Sequence, residues 1–134
     1  METTFVPIAS NGVETSGTDW ITGGGGKLPW AKTETLGATI KFSFDGTILA
    51  IEHGLLSASA MYEIYIDGKI QGVGNPYYGG RPLTDLPQPV MGFSTFTLPE
   101  GHHKAEIKTI KSTDENSIGN HVFLYNIITG RPVR

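Results

Sequence analysis

The chain has 134 residues, 18 of them glycine, no cysteine, and a formal net charge of −3 at pH 7. The length fits one domain with a single core, and the lack of cysteine excludes disulfides and thiolate metal sites. The slight negative charge argues against a nucleic acid or an anionic membrane as partner, and no apolar run approaches the roughly 18 residues of a membrane span. Many glycines beside β-branched and aromatic residues indicate an all-β protein with many turns.

The first strong strand signal lies between Thr39 and Glu52. Apolar residues alternate with polar ones over Thr39–Phe44, the period of a half-buried strand. Asp45 and Gly46 follow, a pair typical of two-residue hairpin turns, so Thr47–Glu52 is predicted as the returning strand.

Two further segments repeat this pattern. In "MYEIYIDGKIQGV" Tyr62, Ile64 and Ile66 share a face, Asp67-Gly68 turns the chain, and Lys69–Val73 returns. In "FSTFTLPEGHHKAEIKTI" the chain turns at Pro99–Gly101. There Phe96 and Leu98 are predicted to share one face of the outgoing strand, and Ala105 and Ile107 to point inward on the return.

The remaining strands lie near the two ends of the chain. Phe5–Ile8 and Asp19–Thr22 are short candidates, and His121–Thr129 is apolar enough to be central. No stretch of ten residues has helical spacing. The sequence therefore predicts a single domain over residues 1–134, an antiparallel β-sandwich or jelly roll. Its predicted core contains Ile40, Phe42, Phe44, Ile64, Ile66, Phe96 and Ile107.

The order of turns and loops predicts two different ends of the sandwich. The three tight turns at Asp45-Gly46, Asp67-Gly68 and Pro99–Gly101 each join an up strand to the following down strand, so they should lie together at what we call the turn end. The long connections should gather at the opposite, loop end. They are Gly23–Glu34, Gly54–Ala60, Gly74–Val90 and Ser112–Asn120.

These strands resemble the galactose-binding-domain-like jelly rolls, above all the small modules attached to bacterial carbohydrate esterases of the SGNH type and found in phage tail proteins. The resemblance rests on Trp20, "GATIKFSFDGTILAI", "YEIYIDGK", "FTLPEGHHKAEIKT" and "HVFLYNIIT", and covers about residues 18–129. It implies a β-sandwich that often binds sugars through loops at one end. It also implies a core position for Trp20 and a structural histidine at His103.

Aromatic and charged residues in the long loops form the candidate ligand site. Aromatic faces stack on the C–H face of a pyranose, and an arginine fork donates to hydroxyls or carboxylates. The alternative is that the tyrosines pin their loop to the sandwich. The predicted ligand-binding residues are Trp30, Tyr77, Tyr78, Arg81 and Asp85.

Other polar groups favour structural roles. His102 and His103 are adjacent on a strand and point to opposite faces, so they do not suit one shared metal ion. Asp114, Glu115 and Asn116 offer hard oxygens, but their spacing is typical of a solvated turn rather than a calcium loop. No G-x-S-x-G, H-E-x-x-H or cysteine nucleophile is present. The sequence therefore predicts no enzyme, metal or cofactor.

Two functions remain open at this point. One is a non-catalytic module that binds a cell-surface glycan. The other is a virion structural part, a tail-fibre or head-accessory domain assembled as a homotrimer. A chain with its own Met1 and no signal peptide favours a phage setting, in the virion or outside the cell after release.

The last strand is predicted to be apolar on both faces. Val122, Leu124 and Ile128 should lie on one face, and Phe123, Tyr125 and Ile127 on the other. One face belongs to the core, and the second should be covered by another subunit or by the N-terminal segment.

Overall fold

The computed structural model describes residues 2–7, 13–15, 20–23, 29–79 and 88–131. In these residues it contains two antiparallel β-sheets and no helix, which confirms the β-sandwich. One sheet has the strand order β3-β4-β11-β6-β9 with β1 also paired to β11, and the other has the order β2-β5-β10-β7-β8. The strands are β1 Glu2–Pro7, β2 Glu14–Thr15, β3 Ile21–Gly23, β4 Trp30–Thr33, β5 Thr39–Asp45, β6 Ile48–Leu55, β7 Met61–Ile66, β8 Lys69–Gly74, β9 Gln88–Thr95, β10 His102–Ile110 and β11 Val122–Arg131.

The Asp45-Gly46 turn does not make the predicted hairpin. Strand β5 lies in one sheet and β6 in the other, so this turn carries the chain across the sandwich. The Asp67-Gly68 turn does close a hairpin, and there both residues have positive φ, 52° and 81°. At the first turn only Gly46 has a positive φ, 126°. A Cβ on Gly46 would overlap the carbonyl oxygen of Gly130. Close backbone approach therefore explains that glycine.

The three tight turns do lie together at the turn end, as predicted. The Gly46 N–H donates to the Gly101 carbonyl at 3.0 Å, and the Asp67 N–H donates to the Lys104 carbonyl at 2.8 Å. These bonds join the first turn to the third, and the second turn to the start of β10. The turn end is thus a hydrogen-bonded cap.

The core lies between the sheets and contains six of the seven residues predicted for it. Phe96 is the exception: its side chain is 58% exposed, because β9 ends at Thr95 and its inward aromatic residue is Phe93. Leu98 does pack partly buried against the core. Trp20 is buried in the core as predicted. The confirmed core predictions are Ile40, Phe42, Phe44, Ile64, Ile66 and Ile107.

A buried polar pair joins the two sheets within this core. The Tyr62 hydroxyl of β7 lies 2.6 Å from Nδ1 of His53 of β6 and is hydrogen-bonded to it, and both side chains are buried. Burial lowers the pKa of His53 to about 4 and raises the pKa of Tyr62, so the imidazole and the phenol both stay neutral in this hydrogen bond. A Cβ on Gly74 would overlap the Tyr62 ring, and one on Gly92 would overlap His53. The two glycines provide the space for the pair.

Strand β11 buries both of its faces within the chain. Its pairing with β6 shifts register between Leu124 and Ile127, so Ile127 faces the core and Ile128 faces outward, the reverse of the prediction. On the outer face Phe123 and Tyr125 form an outer cluster with Leu56, Ala58 and the half-buried Trp30. A loop and strand β4 of the same chain therefore cover this part of the face, and the argument for a covering subunit does not hold there.

His103 has the structural role expected for it. Its Nδ1 lies 2.6 Å from Oδ2 of Asp67, and its Nε2 lies 2.7 Å from the carbonyl oxygen of Pro99. Both oxygens accept, so both ring nitrogens donate and the ring is an imidazolium. The hydrogen bond to Asp67 raises the pKa of His103, although burial opposes it, and the same bond lowers the pKa of Asp67. The ion pair links two of the tight turns.

Within the described part of the chain, no helix has the length and apolar character to cross a membrane.

Candidate ligand-binding surface

Three of the four long connections meet at the loop end, as predicted. Leu56 donates its N–H to the Pro76 carbonyl at 3.1 Å and accepts from the Tyr78 N–H at 3.0 Å. The Ile118 N–H donates to the Ser57 carbonyl at 3.3 Å. Residues 56–58 thus lie between the other two loops and hold both of them.

The fourth connection, Gly23–Glu34, is not a loop throughout. Trp30–Thr33 forms β4, which pairs with β11 so that Thr33 lies opposite Val122 and Ala31 opposite Leu124. Because β11 starts at the loop end, the β3–β4 connection opens away from that end. The prediction missed this strand because Trp30–Thr33 is only four residues long and follows the Gly23–Gly26 run.

Trp30 lies on the outer face of its sheet, at the edge of the outer cluster. Its ring meets Phe123 edge-on, with centroids 5.7 Å apart and planes at 65°. A Cβ on Gly23 would lie 2.5 Å from the ring atom Cζ2, so the glycine lets the indole pack against β3. Part of the ring is therefore structural, and a half-buried part remains at the surface.

Lys32 is a residue of this surface that the sequence reading missed. Its Nζ lies 5.6 Å from the ring centroid of Trp30 and 5.6 Å from that of Phe123, within reach of both π faces. The signal for it was present in the alternation of "WAKT", which puts Trp30 and Lys32 on one face of a strand. The pair offers an aromatic face beside a cationic donor.

The two tyrosines of the long loop differ in exposure. Tyr77 is half-buried, and its N–H donates to Oδ1 of Asn75 at 3.2 Å. The Tyr78 side chain is 50% exposed, although its backbone is bonded to Leu56. A fixed backbone that carries an exposed ring is suited to stacking. Arg81 and Asp85 lie outside the described residues.

The structure thus connects three of the five predicted site residues through Leu56. Its side chain belongs to the outer cluster against which Trp30 packs, and its backbone holds the segment that carries Tyr77 and Tyr78. Trp30 was predicted among the loops of this end, but it lies on the outer face of the sheet beside them. We call Tyr77 and Tyr78, together with Trp30 and Lys32 on that outer face, the loop-end surface. In the described residues no group of three or more histidine, aspartate or glutamate side chains is placed to hold a metal.

Polar side chains also line a cavity of about 410 Å³ in the loop from Lys111 to Asn120. Asp114 lies in it and accepts the Asn116 N–H at 2.9 Å, a turn that its own side chain closes. This agrees with the solvated turn expected for Asp114, Glu115 and Asn116.

No protein-family model and no curated protein matches this sequence. Solved structures do share its fold. A family two carbohydrate esterase from Cellvibrio japonicus superposes with a TM-score of 0.68 at 14% identity, over 98% of this chain and 36% of that one. A two-domain esterase active on acetylated mannans, co-crystallised with mannopentaose, gives 0.64 at 11% identity, over 99% of this chain and 38% of that one.

A third similar structure is the catalytic domain of a GH87 alpha-1,3-glucanase in complex with tetrasaccharides. It has a TM-score of 0.65 at 15% identity, over all of this chain and 29% of that one. The chain thus spans about a third of the length of these proteins. At such identities the likeness concerns the fold, and it agrees with the esterase side of the resemblance seen in the sequence. The fold is therefore a β-sandwich of the kind found within larger carbohydrate-active proteins.

Proposed function

We propose that this chain is a non-catalytic carbohydrate-binding module that recognises a cell-surface glycan, as part of a phage particle or of a secreted bacterial assembly. The observation that carries the proposal is the half-exposed ring of Tyr78 on a segment that is hydrogen-bonded to Leu56. Through Leu56 this ring is connected to the surface formed by Trp30 and Lys32. The fold shared with a mannan-active esterase supports a polysaccharide as the ligand.

The chemistry of the loop-end surface suits a sugar. Tyrosine and tryptophan faces stack on the C–H face of a pyranose, and the Lys32 ammonium donates to hydroxyls. From the sequence, we also assign to the site Arg81 as a donor fork and Asp85 as an acceptor, since both belong to the same long connection as the tyrosines. Such shallow sites bind weakly, because sugar hydroxyls must give up water before they gain protein partners. Many copies on one particle restore useful strength through avidity.

The absence of catalysis is part of the proposal. His53 and Tyr62 are residue types that can act as a catalytic base and acid, but His53 is only 3% exposed and Tyr62 is 0% exposed. A substrate would have to open the core to reach them.

Tyr78→Ala tests the loop-end surface. We expect binding of the multivalent protein to its glycan to fall at least tenfold, because a contact ring typically contributes about 1.4 kcal/mol at each site and avidity multiplies the loss. The control is Ile118→Ala, because Ile118 is 80% exposed at the same end and has no π face. Circular dichroism checks that both variants fold. Equal binding by Tyr78→Ala, Tyr77→Ala and Arg81→Ala variants would show that this loop is structural and that the site lies elsewhere.

One observation favours the alternative, a virion structural part. The outer face of the sheet that contains β6 and β11 carries an apolar strip of Ile48, Ala50, Ile128 and the exposed Phe5, which lies opposite Ile128. Phe96, also exposed, directly follows β9, the neighbour of β6. Such a strip suits contact with a second copy of the chain, since its exposed aromatic rings would leave water there. The predicted homotrimer would use this face rather than the one covered by Trp30.

Light scattering separates these two cases. If the chain assembles through the apolar strip, the parent has an oligomer mass, and Phe5→Ser with Phe96→Ser lowers it to the monomer mass. Ile70→Ser, at an exposed position of β8 in the other sheet, should leave the mass unchanged. A parent of monomer mass at every concentration would exclude the homotrimer and leave the module.

A further inference from the structure

A second surface with the properties of a binding site lies on the outer face of the other sheet, away from the loop-end surface. A groove of about 600 Å³ runs across β2, β5, β10 and β7. Four strands at the usual spacing give it a length of about 14 Å, room for a short oligosaccharide. Its floor is the backbone of β5 and β10, whose alternate side chains point into the core.

The side chains that line the groove form a row in register. Glu14 of β2 lies opposite Lys41 of β5, Lys41 lies opposite Glu106 of β10, and Glu106 lies opposite Tyr65 of β7. In the next row Lys104 follows, opposite Ser43. Hydrogen-bonding side chains therefore follow one another from one edge of the groove to the other, and an aromatic ring ends the row.

These charges stand apart although their positions favour pairing. Opposite charges directly across an antiparallel pair usually attract each other into contact. Here none of Glu14, Lys41, Lys104 and Glu106 makes an ion pair with another described residue. The side chains are spread around the cavity instead, so their donors and acceptors remain available to a ligand.

The ring at the end of the row is held in place. The Tyr65 hydroxyl donates to Oε1 of Glu63 at 3.0 Å, and the ring is half-buried. Gly68, in the turn beside it, presents no side chain to that end of the groove. The Tyr65 face is thus oriented and accessible, as stacking on a sugar requires.

The balance of charge selects the ligand. Two lysines and two glutamates cancel, so the groove favours neither an anion nor a cation. A sugar hydroxyl both donates and accepts, and it can bond to an ammonium and a carboxylate at once. We propose that this groove is a second binding site, which takes a neutral oligosaccharide lying across the strands with one ring on Tyr65. The inference rests on the carbohydrate-binding function proposed above but not on the loop-end surface.

The test is an NMR titration of the full chain with mannopentaose, cellopentaose and an oligosaccharide of α-1,3-linked glucose, with a pentagalacturonate as the charged comparison. We expect saturable shifts of the amides of Lys41, Tyr65 and Glu106 with at least one neutral sugar. Tyr65→Ala should weaken that binding about tenfold. Tyr65→Phe, which keeps the ring but loses the bond to Glu63, should weaken binding less than Tyr65→Ala does. Tyr78→Ala, at the other surface, should leave it within twofold.

Each of the other outcomes contradicts a specific part of the proposal. Shifts confined to residues 30–32, 56–58 and 75–78, or unchanged affinity in Tyr65→Ala, overturn the groove and leave the loop-end surface. Shifts confined to the groove overturn the loop-end surface. Tighter binding of pentagalacturonate overturns the neutral ligand. No binding of any of these sugars overturns the groove, and failure of the multivalent protein to bind glycans as well would overturn the carbohydrate function itself.

Discussion

Phe42→Ala is expected to lower the free energy of unfolding by about 3–5 kcal/mol, the usual effect of emptying a core aromatic position. Phe42 is 8% exposed and packs near Phe44, with ring centroids 6.1 Å apart. Both sheets contribute to the core around it, so the space left by the ring has little freedom to collapse. Urea denaturation followed by circular dichroism measures the change.

The matched control is Phe96→Ala, because the same atoms are removed from a ring that is 58% exposed. We expect its effect to stay below about 1 kcal/mol, as for surface substitutions away from special features. Equal losses in the two variants would mean that Phe96 is a core residue after all, and that β9 continues beyond Thr95.

His103 should give the stability a pH optimum near the ordinary histidine pKa of about 6.5. The folded pKa of His103 is raised, so its contribution is full below the unfolded pKa and is lost as the pH rises through the folded value. His53 acts in the opposite direction. Its folded pKa of about 4 means that the unfolded chain takes up the proton first, and stability falls as the pH drops below 6.5.

The expected profile of unfolding free energy against pH therefore rises from pH 4 to about 6.5 and falls above it. His103→Gln should remove the fall on the alkaline side and lower stability at pH 6 by about 1.5–3 kcal/mol, the range for hydrogen bonds to charged groups.

His102→Gln is the control for this prediction. His102 is adjacent in sequence but exposed, and its ion pair with Asp45 at 3.0 Å lies at the surface, where such pairs contribute at most about 1 kcal/mol. A parent whose stability is flat between pH 6 and 8.5, or a His103→Gln variant that keeps the alkaline fall, would contradict the imidazolium assigned to His103.

Local patterns predicted the strands well where they alternate strictly. The period of two over Thr39–Phe44 correctly placed Ile40, Phe42 and Phe44 in the core, because each strand of an antiparallel sandwich has one face inside. The Asp45-Gly46 prediction was wrong for a reason the sequence does not contain. A turn signal shows that the chain reverses, but not whether the next strand joins the same sheet.

Register shifts caused another error. The irregular pairing between Leu124 and Ile127 moves Ile127 to the core face, and a simple alternation carried through this point assigns it to the wrong side. Bulges depend on the partner strand, so a single segment does not reveal them. Strict alternation of inward and outward residues placed six of the seven predicted core residues correctly. It failed in β11 because an extra residue interrupts the alternation there.

The candidate site was predicted less completely than the fold. The predicted strand directions correctly placed Tyr77 and Tyr78 at the loop end, because successive antiparallel strands alternate between up and down. Lys32 was missed, since it matters only once β4 places it beside Phe123, a residue 91 positions further along the chain. The groove around Tyr65 was missed for the same reason: its row comes from four strands that are distant in sequence.

The most direct test of the carbohydrate-binding function is a glycan array probed with the folded parent chain displayed in many copies. The array should include acetylated mannan, α-1,3-glucan and bacterial surface polysaccharides. We expect selective binding to at least one of these glycans, lost when the same chain is applied as a dilute monomer, because each site is weak and avidity supplies the strength. A folded, multivalent protein that binds no glycan on the array would contradict the proposal.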